Sequence, residues 1–470
     1  MNNTIKPKIL VLLPDGIGLR NFAYSNFYQL GIENNFDVVF WNNTPFNLTD
    51  LGFNEIKIKN AKTHPITDIY KNARKQIELN LNINTTRDRV YDTYRFPFPY
   101  NTLKSAFKSS WTQWLTFTNS SPRGLKKIRA KIEQQERKTF FYHQSLQTLQ
   151  EQKPALVFCT NQRPSLAIAP ILAAKDLGIP TATFIFSWDN LPKATMVVET
   201  DYYLVWSDHM KNELLFYYPY INEANVFVTG TPQFEAHFNA SKILSREEFC
   251  QQHHLDPTKE YLCFSGDDIT TSPYDPIYLE DVAKAVTELN HQGANLGILF
   301  RRCPVDFSSR YDAVLKQYNS IITPIVPLWK SMGEEWNTIL PTAADVDLQI
   351  NTIAHTAFVI NLGSSMVFDY AAFNKPCMYV NYDPEGSNRK EYIKMIYNYV
   401  HFRSMPNKDV VVWLNNPKEI KEKIAQILDI STAKKHSDNA LLWFEKIVAQ
   451  PADQASKRIW NAVQQIISNP

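Results

Sequence analysis

Residues 358–383 read FVINLGSSMVFDYAAFNKPCMYVNYD. The apolar run 358–362 has the length and composition of a buried strand, and it ends in Gly363-Ser364-Ser365. A helix is expected over 366–373, stopped by Asn374-Lys375-Pro376, and a second strand over 377–381. Strand, turn, helix and strand in that order predict a parallel α/β unit. The two serines stand where the helix begins. Unpaired backbone N–H groups and the positive end of the helix dipole favour an anion there. The competing role for Ser364 and Ser365 is to cap the helix.

The same rhythm recurs on both sides of this stretch. Near the start, a strand over 8–13 runs into Pro14-Asp15-Gly16-Ile17-Gly18, then a helix over 21–30 and a strand over 37–41. Residues 61–150 break the rhythm. They read as a polar helical insertion with aromatic patches at 94–100 and 111–117. Strands return at 155–160, 181–187, 202–206 and 225–229, with helices over 166–177 and 208–217. Gly230-Thr231-Pro232 closes this half, and the polar stretch 233–258 reads as a linker. A second α/β set begins at 261–265 and continues through a helix over 276–292, a strand over 296–301 and segments 320–326, 345–354 and 410–413. Helices near 417–429, 433–448 and 455–467 end the chain, the last apolar on one side and basic on the other. The expected organisation is therefore two Rossmann-like domains, 1–240 and 241–450, facing a central cleft. A C-terminal helix over 451–470 packs back on the first. In open α/β sheets ligands sit beyond the carboxyl ends of the strands, so the turns there are where chemistry is expected.

Bulk properties remove several function classes. The 470 residues carry a net charge of +2, which indicates no nucleic-acid partner. The odd, scattered cysteines (Cys159, Cys250, Cys263, Cys303 and Cys377) match neither a metal spacing nor a secreted disulfide framework, and point to a reducing cytoplasm. The ten histidines are dispersed, only His253-His254 being adjacent, and no metal site or cofactor is expected. The apolar run before Pro14 is too short for a signal peptide or a span, and no other segment is long enough to cross a bilayer. Any membrane contact is then peripheral, at the inner surface. The basic run 123–138, RGLKKIRAKIEQQERK, is the segment that could touch anionic lipid; its other reading is a solvated helix face.

Three turns after strands carry candidate chemistry. In the first, Gly16 and Gly18 let backbone approach a ligand and Asp15 lies at the strand end; Asn21 stands where a dinucleotide fingerprint needs its third glycine. In the second, Ser187-Trp188-Asp189-Asn190-Leu191-Pro192-Lys193, Asp189 sits between Trp188 and Asn190 as a candidate general base, or else as part of an Asx-type turn. In the third, Arg301 and Arg302 precede Cys303-Pro304, and guanidinium forks match phosphate oxygens.

Together these segments resemble the two-domain glycosyltransferases of the GT-B fold, and within them the bacterial surface-polysaccharide and CDP-glycerol glycerophosphotransferase-like group. The resemblance is carried by Arg302-Cys303-Pro304, Gly363-Ser364-Ser365, Phe368-Asp369, Lys375-Pro376 and Tyr382-Asp383, with Trp188-Asp189-Asn190 and Gly230-Thr231-Pro232 in the first half. The group has histidines where this chain has Asp189 and Cys303, which favours a sugar nucleotide over a polyol phosphate as donor. The resemblance implies a metal-independent, inverting transfer of sugar from a nucleoside diphosphate sugar to a surface-glycan or lipid-linked glycan precursor. Asp189 is then the base and Asp15 the second choice. Gly16, Gly18, Arg301, Arg302, Ser364, Ser365, Asp383 and Glu385 hold the donor, and Trp188, Asn190 and Thr231 line the cleft. The alternatives are a CDP-glycerol-type polyol-phosphate transferase, a nucleotide-sugar 2-epimerase, or a non-catalytic nucleotide-sugar or glycan-binding accessory protein.

Overall fold

The computed structural model describes residues 6–331, 339–388 and 391–468. The chain divides into two compact units, the first up to Pro232 plus the tail from Gln454, the second from Gln233 to Asp453.

The first unit is built on seven parallel strands: β1 (Lys8–Leu13), β2 (Asp37–Asn42), β3 (Glu55–Lys57), β4 (Leu156–Cys159), β5 (Thr181–Phe184), β6 (Tyr202–Val205) and β7 (Val226–Val228). Their order is β3-β2-β1-β4-β5-β6-β7. Ile9 to Leu13 are all fully buried rather than alternating, as expected of a strand covered on both faces. The helices are α1 (Gly18–Phe22), α2 (Phe27–Glu33), α3 (Thr67–Thr86), α4 (Leu103–Asn119), α5 (Pro122–Glu136), α6 (Phe140–Gln152), α7 (Ile168–Asp176) and α8 (Asp208–Tyr217). The single helix expected over 21–30 is two short ones. Ser25 explains the break: its hydroxyl donates to Asn21 O at 2.6 Å and accepts from Phe27 N–H at 3.2 Å, so a side chain competes with the helical ladder. Between β3 and β4 the chain forms α3 to α6. Thr102 caps α4 in a reciprocal capping box with Ser105, and Ser121 with Pro122 at N1 starts α5.

The second unit has a six-stranded parallel sheet and a small antiparallel pair. The strands are β8 (Glu260–Ser265), β9 (Leu296–Arg301), β10 (Ile322–Ile325), the pair β11 (Lys330–Ser331) and β12 (Ile339–Leu340), then β13 (Val359–Asn361), β14 (Cys377–Val380) and β15 (Val412–Leu414). The main sheet runs β10-β9-β8-β13-β14-β15. Its helices are α9 (Arg246–Gln252), α10 (Asp275–His291), α11 (Asp312–Gln317), α12 (Ala343–Ala354), α13 (Met366–Ala371), α14 (Tyr392–Tyr397), α15 (Ile420–Ile427) and α16 (Ile430–Ile447). The stretch 233–258 is not a free linker. Phe234, His237, Phe249 and Cys250 are buried in this unit, Phe234 against Phe444 and Phe249 against His355. Glu235 and Leu255 are buried too, so the overall polarity hides six inward-facing side chains.

The last helix, α17 (Ala455–Ser468), belongs to the first unit. Trp460 stacks between Phe27 and Phe36, with centroids at 4.7 and 4.9 Å, and its indole N–H donates to Phe27 O at 2.8 Å. Gly31 makes room for it: a Cβ there would lie 2.3 Å from the indole.

Candidate functional site

Each sheet reverses its winding once. In the first unit the reversal falls between β1 and β4, in the second between β8 and β13. Such switch points open a crevice at the carboxyl ends of the two strands.

At the first switch point the loops after β1 and β4 meet. Ile17 N–H donates to Asp15 Oδ1 at 3.2 Å, closing the turn after β1. From the β4 side, Asn161 Nδ2 donates to Asp15 Oδ2 at 3.0 Å, while Asn161 Oδ1 accepts from Arg163 N–H at 3.1 Å. Asp15 is half-buried. Burial pushes its carboxyl above the ordinary range, and the Ile17 N–H, the charge of Arg163, the Asn161 amide and the Gly18 N–H offset this only in part. A carboxyl raised in this way is a candidate for proton transfer. Gly18 serves packing: a Cβ would fall 2.6 Å from Thr160 Oγ1, so only glycine lets α1 start this close to β4. Gly16 is buried and its carbonyl accepts from Leu19 N–H.

Asp189 is placed differently. It accepts from Ser187 Oγ at 2.6 Å and from Asn190 Nδ2 at 3.0 Å, and it pairs with Lys193. Its oxygens are engaged within its own turn, whereas Asp15 is held across two loops. Asn190 is buried and ties this turn to β4 through Gln162 Nε2 at 3.2 Å. Trp188 and Thr231 are also buried, Thr231 completely. A group of cations borders the β4 loop. Lys75, on α3, is pushed down to about 8 by burial and by the like charges of Arg74, Lys193, Arg163 and Arg95. Sequence reading passed over Asn161, Arg163 and Lys75, because the loop after β4 has no motif and Lys75 lies on a distant helix.

At the second switch point β8 leads into Gly266-Asp267-Asp268 and β13 into Gly363-Ser364-Ser365. Gly363 takes a left-handed φ of 61°. Ser364 N–H donates to Asn361 Oδ1 at 2.8 Å, and Ser364 Oγ accepts from Met366 N–H at 3.3 Å. Ser365, at the N-cap position, makes no side-chain cap. Both serines are half-exposed, but α13 has six residues and the N–H groups of Ser364 and Met366 are engaged. What the turn offers a ligand is the Ser365 N–H and the two hydroxyls, less than a free helix start would give.

The arginines separate clearly. Arg301 is buried and its Nη2 donates to both oxygens of Asp345, at 3.0 and 2.8 Å. Asp345 also accepts from Leu328 N–H and the Trp329 indole. Arg301, expected from the sequence to meet phosphate, is thereby the centre of an internal ion pair, and its Nη1 is buried without a partner. Arg302 is half-exposed, donates to Ser308 O at 3.1 Å and lies over the Tyr311 ring at 5.2 Å. Cys303 is half-buried and its thiol is pushed up to about 12, so it is neutral and unreactive. Asp383 Oδ1 accepts from Ile393 N–H at 3.2 Å, holding the start of α14, and Glu385 is exposed.

Two further clusters stand in this unit, one of them at Asp267 and Asp268, which the sequence offers as ligand-touching residues or as a turn. Asp267 is half-buried and its carboxyl is pushed up to about 7, by burial first and then by the charges of Asp275 and Asp268. Arg310 braces the same turn, donating to Asp267 O and Ser272 O at 2.5 Å and to Asp306 Oδ2 at 2.7 Å. Deeper in, His237 Nε2 lies 2.8 Å from Asp369 Oδ1, both buried, with Gln349 donating to the same oxygen. Among the described residues no group of three or more His, Cys, Asp or Glu side chains could hold a metal.

No protein-family profile matches this chain, and no curated protein does. Solved structures do match over their full length. The fold of this chain is similar to a putative UDP-N-acetylglucosamine 2-epimerase from Listeria monocytogenes, with a TM-score of 0.55 and 11% identity over 99% of this chain and 98% of that one. It is similar to a glycosyltransferase from Rickettsia africae ESF-5, with a TM-score of 0.53 and 11% identity over 99% and 100%. It is also similar to S. aureus MnaA, solved with UDP, with a TM-score of 0.52 and 13% identity over 98% and 97%. At these identities the likeness is one of fold: two Rossmann-like units in one chain, of the GT-B kind.

Proposed function

We propose that this chain is an enzyme acting on a nucleoside diphosphate sugar, with Asp15 as the group that moves the proton. The observation carrying this reading is the Asp15–Asn161 contact across the switch point of the first sheet. There a carboxyl raised by burial meets solvent and is held by a neutral amide. The full-length likeness to sugar-nucleotide enzymes supports the substrate class. In the second unit Ser364, Ser365 and Arg302 are the groups proposed to meet the diphosphate, with Asp383 and Glu385 toward the sugar or ribose. Arg301 acts through Asp345 in shaping the end of β9.

Two reactions fit this chemistry. The likeness to UDP-N-acetylglucosamine 2-epimerases puts 2-epimerisation of a UDP-sugar first. It takes a proton from carbon on one face of the sugar and returns one on the other, so hydrogen at that carbon exchanges with solvent. Glycosyl transfer, the second reading, needs one base for an acceptor hydroxyl. It is favoured by Asp15 being the poised carboxyl of the β1 and β5 loops while Asp189 is bound to Lys193. The CDP-glycerol-type reading gains no support from these likenesses.

Proton NMR of UDP-N-acetylglucosamine incubated with the protein in D2O, with no acceptor, separates the two. Epimerisation gives deuterium at C2 and a second sugar-nucleotide signal. Transfer gives neither until an acceptor is added. A sugar nucleotide panel left unchanged with and without glycan acceptors would refute the enzyme reading.

A further inference from the structure

Helix α4 is built inside out. The side chains it buries are Ser109, Thr112 and Leu115, two of them polar. Its exposed face carries Leu103, Phe107, Trp114 and Phe117, which are 94%, 64%, 61% and 87% exposed. At about 100° per residue these four fall within one arc of roughly 80°, opposite Ser109 and Thr112. Just before the helix, Phe96 is 79% exposed, with the Lys75 ammonium over its ring at 4.7 Å. A helix in water is expected to show the reverse pattern, so this stripe is built to meet something apolar.

Charge says what that is. Between Asp92 and Glu133 the chain has eight basic residues and no acidic one. Seven of them lie on α4 and α5: Arg129, which pairs with Glu78 and Glu199, and Lys104, Lys108, Arg123, Lys126, Lys127 and Lys131. The two helices form a hairpin so tight that a Cβ on Gly124 would lie 2.2 Å from Asn119 O, which keeps the basic start of α5 beside the apolar end of α4. Two copies of this chain meeting through the stripe would bring like charges together, whereas an anionic surface would neutralise them. Aromatic and leucine side chains on one face, lysines beside them and no acid are the features of a helix lying in a lipid interface. Among the described residues no helix is long and apolar enough to cross a membrane, so contact through α4 is from the surface.

We propose that the outer face of α4, with the basic start of α5, docks the protein onto an anionic lipid bilayer. The proposal is independent of which sugar-nucleotide reaction is catalysed. Flotation of the full chain with phosphatidylcholine vesicles, with and without phosphatidylglycerol, tests it. The chain should float with the anionic vesicles, less in high salt, and more weakly with neutral ones. Phe107→Ser with Trp114→Ser, and separately Lys126→Glu with Lys127→Glu, should each lower partitioning at least about tenfold. All four side chains are exposed, so melting temperatures should stay at the wild-type value. Three results would overturn the proposal: no flotation with anionic vesicles, Ser variants that float like the wild type, or self-association in vesicle-free solution that Trp114→Ser abolishes. The last would assign the face to a second copy.

Discussion

At the residue scale, Asp15 and Asp267 are both raised carboxyls, and they predict different things. Asp15→Asn keeps size and turn geometry but removes the proton acceptor. Turnover should fall by about 10²–10⁴-fold with sugar-nucleotide affinity retained. With Asp15 as base, the acid limb of the wild-type kcat/KM profile should lie above the ordinary aspartate value of 3.8, because burial raises this carboxyl. Asp267 bears on stability. Its folded value of about 7 exceeds the ordinary 3.8, so between those limits the native state holds a proton that the unfolded chain has lost. Stability contributed by this group is therefore present at low pH and falls as pH rises through that window. Asp267→Asn should flatten this loss and raise the melting temperature at pH 7 relative to pH 4, which paired melts of wild type and variant would detect. The candidate site was partly legible at this scale. Asp15 could be read because a glycine-rich turn follows a strand. Asn161 could not, since Thr160-Asn161-Gln162-Arg163 resembles any loop. The ion pair of Arg301 could not be read, because its partner, Asp345, lies 44 positions away and nothing local announces it.

At the element scale, strands were the most legible feature, because parallel strands buried on both faces appear as short unbroken apolar runs. The break between α1 and α2 depends on one hydroxyl in a region whose periodicity reads as continuous helix. The segment 233–258 shows the opposite failure: average polarity predicts a linker, while six buried side chains build it into the second unit. The most consequential element contact is α17 on α2. Trp460→Ala removes a ring stacked on Phe27 and Phe36 and should cost about 3–5 kcal/mol. Gly31→Ala should unseat the same indole from the other side. Urea titrations of both variants would check this. A change within error of wild type for Trp460→Ala would mean that α17 does not stabilise the first unit.

At the scale of the whole molecule, the two α/β sets in sequence foretold two parallel sheets, and the reversal of strand order in each marks where a ligand belongs. What the sequence could not convey is which unit supplies which group, because that depends on side chains brought together across switch points. The first unit offers a poised carboxyl, an orienting amide and a border of cations. The second offers a serine turn and one half-exposed arginine. The central claim, that these surfaces serve a nucleoside diphosphate sugar, is tested most directly by calorimetric titration. UDP, GDP and CDP and their common sugar conjugates would be titrated into the wild type, Asp15→Asn and Arg302→Ala. Saturable heats with one nucleotide family are expected for the wild type, retained in Asp15→Asn and weakened in Arg302→Ala by about tenfold or more, the loss of a charged hydrogen bond. No binding by any member of the panel at millimolar concentration would contradict the account.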